Sequence, residues 1–213
     1  MGLDSYLNRM PHYKDTSAED IVAIESYLCL RKYQESGDEL DTSLYDWCGR
    51  SEDELPNNDV IYHYKQIYDE RNSLCDEVGY WRKANAIHNW FVEHVQDGID
   101  DCRYHNEVTK ELLEELLDTC IKVYESCTMI IGQVNNGESY INGEWVPNVE
   151  VGKTVIDSSL AEELLPTCSG FFFGSTDYNE WYVENIRNTI EIINEVLETT
   201  DFDTEMIAYC SSW

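Results

Sequence analysis

A chain of 213 residues, 42% of them hydrophobic, can bury one good core, so a single domain over 1–213 is expected. Fifteen tyrosines and six tryptophans exclude a disordered chain, and four prolines with eleven glycines exclude a collagen-like or low-complexity one. Forty-three acidic against fourteen basic residues leave a formal net charge of −29, a field that repels nucleic-acid backbones and anionic membranes and attracts basic protein surfaces.

The acid excess is uneven: residues 1–110 hold 23 acids and 11 bases, residues 111–213 hold 20 acids and 3 bases. Direct DNA binding is therefore not expected, although solubility at high concentration explains the charge equally simply. No apolar run approaches the roughly 18–20 residues that span a bilayer. The start MGLDSYLNRM lacks the basic and apolar stretches of a signal peptide. Tyr6 stands where a myristoylation motif needs Ser or Thr. A cytoplasmic location is expected. Eight cysteines are spread singly with no C-x-x-C pair, which in a reducing compartment predicts free thiols.

In chain order, Met1 to Leu7 reads as a short buried strand. A helix is expected over 17–35, capped by Ser17 with Asp20 and carrying Ile21, Ile24 and Leu28 on one face. Thr42 to Cys48 reads as a short helix stopped by Gly49. The stretch Glu52–Asn58 reads as a loop, and 60–71 is ambiguous between strand and helix. The spacing of Trp81, Ala84, His88, Phe91 and Val95 predicts a central helix over 76–97, ended by Gly98. Thr109–Glu125 is a second strong helix with an apolar side of Leu112, Leu113, Leu116, Leu117, Cys120 and Tyr124. Asn142-Gly143 between β-prone runs is a hairpin signal. A helical turn at 159–165 precedes Pro166, and FFFG at 171–174 reads as a buried strand. Asp177 with Glu180 is expected to open a helix to about 199, with Tyr182, Ile186, Ile190, Ile193 and Leu197 as its core stripe. A short strand at Met206–Cys210 follows. The class read from this is α+β, predominantly helical, with a small antiparallel sheet and a β-hairpin.

Three constellations carry chemistry. On the expected central helix, Arg82, Asn85 and Asn89 form a strip with Lys83 beside it, donors suited to phosphate or carboxylate, and Trp81 and Trp90 could stack on a base. The plainer reading is that the cations pair with the surplus acids. Around the strand expected at 171–174, Thr167, Ser169, Ser175 and Thr176 suit a ligand site or simple capping. The last helix carries Glu180, Glu184, Glu191, Glu195 and Glu198 on one face, interrupted by Arg187. This acidic row suits a basic partner or is an ordinary solvated face. His105 near Cys102, Asp97, Asp100 and Asp101 mixes metal-ligand types, but its spacing fits neither a zinc nor a calcium pattern. A helix-ending turn is favoured there, and no metal or cofactor is expected. His88 on the apolar face reads first as a hydrogen-bonded core histidine. No nucleophile–base pair is found, and Gly152-Lys153-Thr154 lacks the upstream glycine of a phosphate loop.

The segments MGLD-x-YL, EVGYWRKANAIHNWFVEHVQDGIDDC, LAEELLPTCSGFFFGSTDYNEWY and the final SSW together resemble a family of small proteins encoded by bacteriophages and their bacterial hosts. That family usually has Met where this chain has Ser5, and against it the segment 128–157 reads as an insertion. The resemblance implies a phage or prophage context and lends no activity. The leading expectation is a non-enzymatic phage accessory protein that binds and inhibits a host factor, such as a nucleic-acid-handling defence protein, through its acidic surface. The partner face would be Glu180, Glu184, Glu191, Glu195 and Glu198. The first rival is a binder of a small nucleotide using Trp81, Arg82, Lys83, Asn85, His88, Trp90, Ser169, Ser175 and Thr176. The second is an enzyme using His88 or His105 with nearby carboxylates.

Overall fold

From Met206 to Ser211 the last strand alternates side chains between two apolar layers, and every one of them is buried. A strand enclosed on both sides needs helices above and below it. The computed structural model, which describes residues 2–36, 55–102, 105–170 and 172–213, provides them. The order is β1 (Asp4–Pro11), α1 (Ala18–Ser36), α2 (Asn58–Arg71), β2 (Asp76–Arg82), α3 (Asn85–Val95), β3 (Asn106–Val108) and α4 (Lys110–Ser126). There follow β4 (Met129–Ile141), β5 (Glu144–Val155), α5 (Ser159–Leu164), α6 (Glu180–Thr199) and β6 (Glu205–Ser212). Four strands form an antiparallel sheet in the order β2-β1-β6-β3, and β4 with β5 forms a separate hairpin.

Leu7, Ile207 and Tyr209 point into one core with α3, α4 and α6; Met10, Met206 and Ala208 point into the other with α1 and α2. The parity of these positions is what a period-two strand requires. Trp81 on β2 ties the sheet to α6, its indole Nε1 donating to Thr189 Oγ1 at 2.9 Å inside the first core.

Local chemistry sets the helix starts. Ser17 Oγ accepts from the Asp20 amide while Asp20 Oδ2 accepts from the Ser17 amide, a reciprocal cap as expected. Thr109 Oγ1 accepts from Leu112 N to start α4. The ambiguous segment at 60–71 is helical, capped by Asn57 and closed by Asn72 in the left-handed region at φ 62°. The Asn142-Gly143 turn has φ of 52° and 92°, the two positive values a two-residue hairpin turn needs.

The expectation of a mainly helical chain with a small sheet is overturned. The four-stranded sheet is the central layer, flanked by helices on both faces, and a long hairpin adds two more strands; the chain is mixed α+β. Four local readings change as well. The first strand is shifted to 4–11, and the helix expected over 76–97 is strand β2 followed by α3, the break falling at Lys83 with φ 57°. Residues 172–174 are not a strand but a loop in which Phe172 is exposed at φ 66°. Asn179, not Asp177, caps α6 by accepting from Trp181 N and Tyr182 N. Asp177 instead accepts from Asn135 N at 2.6 Å and anchors the hairpin. The helix expected at Thr42–Cys48 lies outside the described residues. All seven described cysteines are free.

Gly79 on β2 is a close-packing position: a Cβ there would stand 2.8 Å from Ile192 Cγ2 and 3.3 Å from Leu7 Cβ. Gly79→Ala is expected to cost about 1–3 kcal/mol by overpacking. Urea unfolding should show a lower midpoint with an unchanged slope; an unchanged midpoint would mean that α6 does not press on β2.

Candidate functional site

Asn85 opens α3 and is buried, so all of its side-chain polar atoms must find partners inside the protein. Its Nδ2 donates to the carbonyls of Phe173 (3.2 Å) and Ser175 (2.9 Å), and its Oδ1 accepts from Cys168 N at 3.3 Å. The Cys168 thiol in turn donates to the Asn85 carbonyl. One amide therefore clamps the 168–175 loop onto α3.

One turn further along α3, His88 is 1% exposed. Its Nδ1 lies 2.7 Å from the Tyr209 hydroxyl and its Nε2 lies 3.1 Å from Asp100 Oδ2. Trp213 Nε1 donates to Asp100 Oδ1 at 3.1 Å, and the Tyr209 hydroxyl also lies 3.1 Å from Ser5 Oγ. A phenol has one hydrogen, so this row has two consistent polarities. When His88 is protonated, its Nδ1–H donates to Tyr209, and Tyr209 donates to Ser5. When His88 is neutral with its hydrogen on Nε2, Tyr209 donates to Nδ1 and the Ser5 hydroxyl turns to donate to Tyr209. The row runs from the buried sheet out to Asp100, whose side chain is partly exposed.

Residues distant in the chain meet here: Leu3 and Ser5 from the start, Lys83 to His88 from the centre, Cys168, Phe173 and Ser175, and Trp213. Lys83 N donates to Leu3 O at 2.7 Å, and Leu3 N donates to Phe172 O at 3.4 Å. Lys83 and Phe172 both hold the left-handed conformation that non-glycine residues rarely adopt. Tyr209, Ser5 and Trp213 carry no site signal in the sequence, and Asp100 is weighed there only beside His105 as a metal ligand. Nothing local in the sequence marks Ser5 and Tyr209 as partners of His88, because strand register decides which side chains reach it.

The residues proposed for a nucleotide do not converge as a pocket. Trp81 and Trp90 are both core residues, Trp81 bonded to Thr189 and Trp90 stacked on His94 with ring centres 4.3 Å apart. Trp90 also lines a cavity of about 320 Å³ whose acidic lining, Glu93, Glu115 and Glu163, has the wrong sign for a phosphate. Arg82 sits at the end of β2 and donates to Asp4 Oδ1 at 3.1 Å. Lys83, Ser169 and Thr176 are exposed, while Ser175 offers its carbonyl to Asn85 and its hydroxyl to Asp177 N. The acids around His105 also separate. Asp100 goes to His88, and His105 meets Glu19, their Nδ1 and Oε1 atoms 3.6 Å apart. Among the described residues no group of three ligands could hold a metal ion.

The five glutamates of α6 all lie exposed, opposite the buried stripe Tyr182, Ile186, Thr189, Ile193 and Val196. Arg187 bonds both Glu184 and Glu191, and Lys153 reaches Glu180 at 3.9 Å. Glu195 and Glu198 make no ion pair within the described residues. Among the described residues no helix is long and apolar enough to cross a membrane. No family model, curated protein or solved structure matches the chain.

Two histidines give the fold a defined pH response. Burial holds the His88 pKa below its ordinary 6.5, with Asp100 pulling the other way. His88 therefore contributes stability that is complete above about pH 6.5 and lost as pH falls. Burial also opposes the charge on His105, but the Cys210 sulfur and the Glu19 carboxylate outweigh it and push the pKa up to about 9. That contribution is complete below pH 6.5 and lost as pH rises through about 9. Urea unfolding at constant ionic strength should therefore give greatest stability near pH 6.5. His105→Gln should flatten the alkaline limb alone; a limb unchanged in that variant would remove the assignment.

Proposed function

We propose that this chain is a non-enzymatic phage accessory protein that binds and inhibits a host protein through its acidic surface. The observation that carries the reading is the row of five exposed glutamates on α6, set on a stripe-packed helix that cannot turn them inward. In a chain of net charge −29 this row is a fixed negative ladder whose own cations, Arg187 and Lys153, leave its C-terminal end uncompensated. Its complement is a protein with a basic surface. A nucleic-acid-handling defence protein fits, because such proteins carry lysines and arginines spaced for phosphates. Catalysis is the weaker reading: both nitrogens of His88 are taken up by Tyr209 and Asp100, and the Cys168 thiol is occupied by the Asn85 carbonyl with its pKa pushed up to about 11 by burial and then by Asp100.

Capture from phage-infected host cells followed by mass spectrometry should return a protein with a basic face. Association with that protein should slow steeply with salt, because exposed charges are screened beyond about 8–10 Å at physiological ionic strength. Replacing Glu184, Glu191 and Glu195 together by Gln should lower the association rate about tenfold or more and leave the melting temperature within a few degrees. If affinity and salt dependence are the same in the triple variant, the acidic face is not the binding surface.

A further inference from the structure

Among the described residues the hairpin β4–β5 meets the body from its root up to the Asn135–Val149 pair. Val134 and Val155 are buried there, Asn135 N donates to Asp177, and Thr154 pairs with Asn179. On β5 the eight consecutive residues 144–151 are all exposed, while on β4 Val134 is buried and Asn135 half-buried. The two faces of the ribbon differ. The register pairs Ile131 with Lys153, Gln133 with Val151, Asn135 with Val149, and Tyr140 with Trp145. Because directly opposed residues share a face, Ile131, Tyr140, Trp145, Val149 and Val151 lie together on one side with Pro147 between, and Gln133, Asn135 and Lys153 stand beside them. The other side carries Glu144, Val146, Asn148 and Glu150 with Ile130 and Ile141, which are less exposed at 47% and 51%, and Val134 lies over Gly152. Ile131 and Val151 are each 78% exposed and Trp145 is 66% exposed.

We propose that this apolar ribbon face is the docking surface for a second copy of the same chain, packed face to face in an antiparallel, two-fold arrangement. Three physical arguments select that occupant. The five apolar side chains expose roughly 600–700 Å², close to the ~800 Å² per partner of a standard stable interface. Residues 129–155 carry three glutamates and one lysine, so the ribbon holds only −2 of the chain's −29, and repulsion between copies is weak there. An antiparallel overlap also keeps the two charged bodies apart. The apolar strip from Val151 to Trp145 is about 20 Å long at ~3.3 Å per residue. The bodies attach at opposite ends of the overlap, beyond the ~8–10 Å screening length. The pairing is isologous, with the Tyr140–Trp145 end of one copy over the Ile131–Val151 end of the other. A two-stranded ribbon is marginal by itself in water, and a second ribbon supplies the missing face.

The test is sedimentation equilibrium of the purified full chain from low micromolar to several hundred micromolar, at low and at physiological salt. The expected result is a mass rising from 24.8 kDa toward twice that value. Association should be equal or tighter at the higher salt, opposite in sign to binding of a basic partner. Trp145→Ser should raise the dimer dissociation constant at least about thirtyfold. Val146→Ser, on the other face, should leave it within about twofold, and circular dichroism should show both variants folded. A protein that stays monomeric at both salts, or equal effects of the two substitutions, overturns the proposal. The acidic α6 face takes no part in this pairing, so that result leaves the basic-partner reading standing.

Discussion

Between Met206 and Ser211, β6 presents one side chain after another to two different cores, and neither core can form without it. The side of Ile207 and Tyr209 meets α3, α4 and α6, and the side of Met206 and Ala208 meets α1 and α2. A slip of one residue would exchange the two sets and place Tyr209 among the side chains around Tyr64. The register is pinned by Tyr209 itself, which stacks on Phe91 with centroids 4.1 Å apart and directs its hydroxyl at His88 and Ser5. An apolar ring of the same size would fill the space but leave two buried polar partners unmet. The polar row thus selects one register where apolar packing alone would accept others.

That row also decides where chemistry with other molecules can take place. His88 could act as an acid or a base, yet it is spent on holding the sheet to Asp100 and, through it, to Trp213. Asn85 is spent on the 168–175 loop. Two surfaces are available to solvent: the carboxylates on the outer face of α6 and the apolar side of the β4–β5 ribbon. They meet at the root of the ribbon, where Lys153 approaches Glu180. The interior is organised by donors and acceptors, and the exterior by charge and bare hydrocarbon.

Elements with their own start and stop chemistry were legible in the sequence. Ser17 with Asp20, Thr109 and Asn142-Gly143 each did what local hydrogen bonding or positive φ demands. Two of the misreadings share one physical origin. Trp81, Ala84, His88, Phe91 and Val95 satisfy a helical period, but Trp81 belongs to a strand that turns at Lys83, where no glycine or proline marks the left-handed residue. Phe172 conceals its turn in the same way, inside a run of aromatics that has every compositional mark of a strand. The acidic row on α6 was legible because α6 is continuous. The row through His88 was not, because its members come from five separate segments and only the tertiary fold brings them within 3.1 Å of one another. The alternation of Trp145, Pro147, Val149 and Val151 is visible in the sequence, but nothing there tells whether that side is covered.

The pairing of β1 with β6 has a consequence during synthesis. Pro11 lies opposite Glu205, so the two inner strands of the sheet are separated by almost the whole chain. On a ribosome adding about 5–20 residues per second, β1 waits roughly 10–40 s for its neighbour. Until then β1 can pair with β2 alone, and its other edge stands open as a template for any passing strand. Both cores are unfinished over the same interval. A nascent chain of this kind is a natural client for a holding chaperone, and a ribosome stalled before β6 would release a product with an open sheet edge.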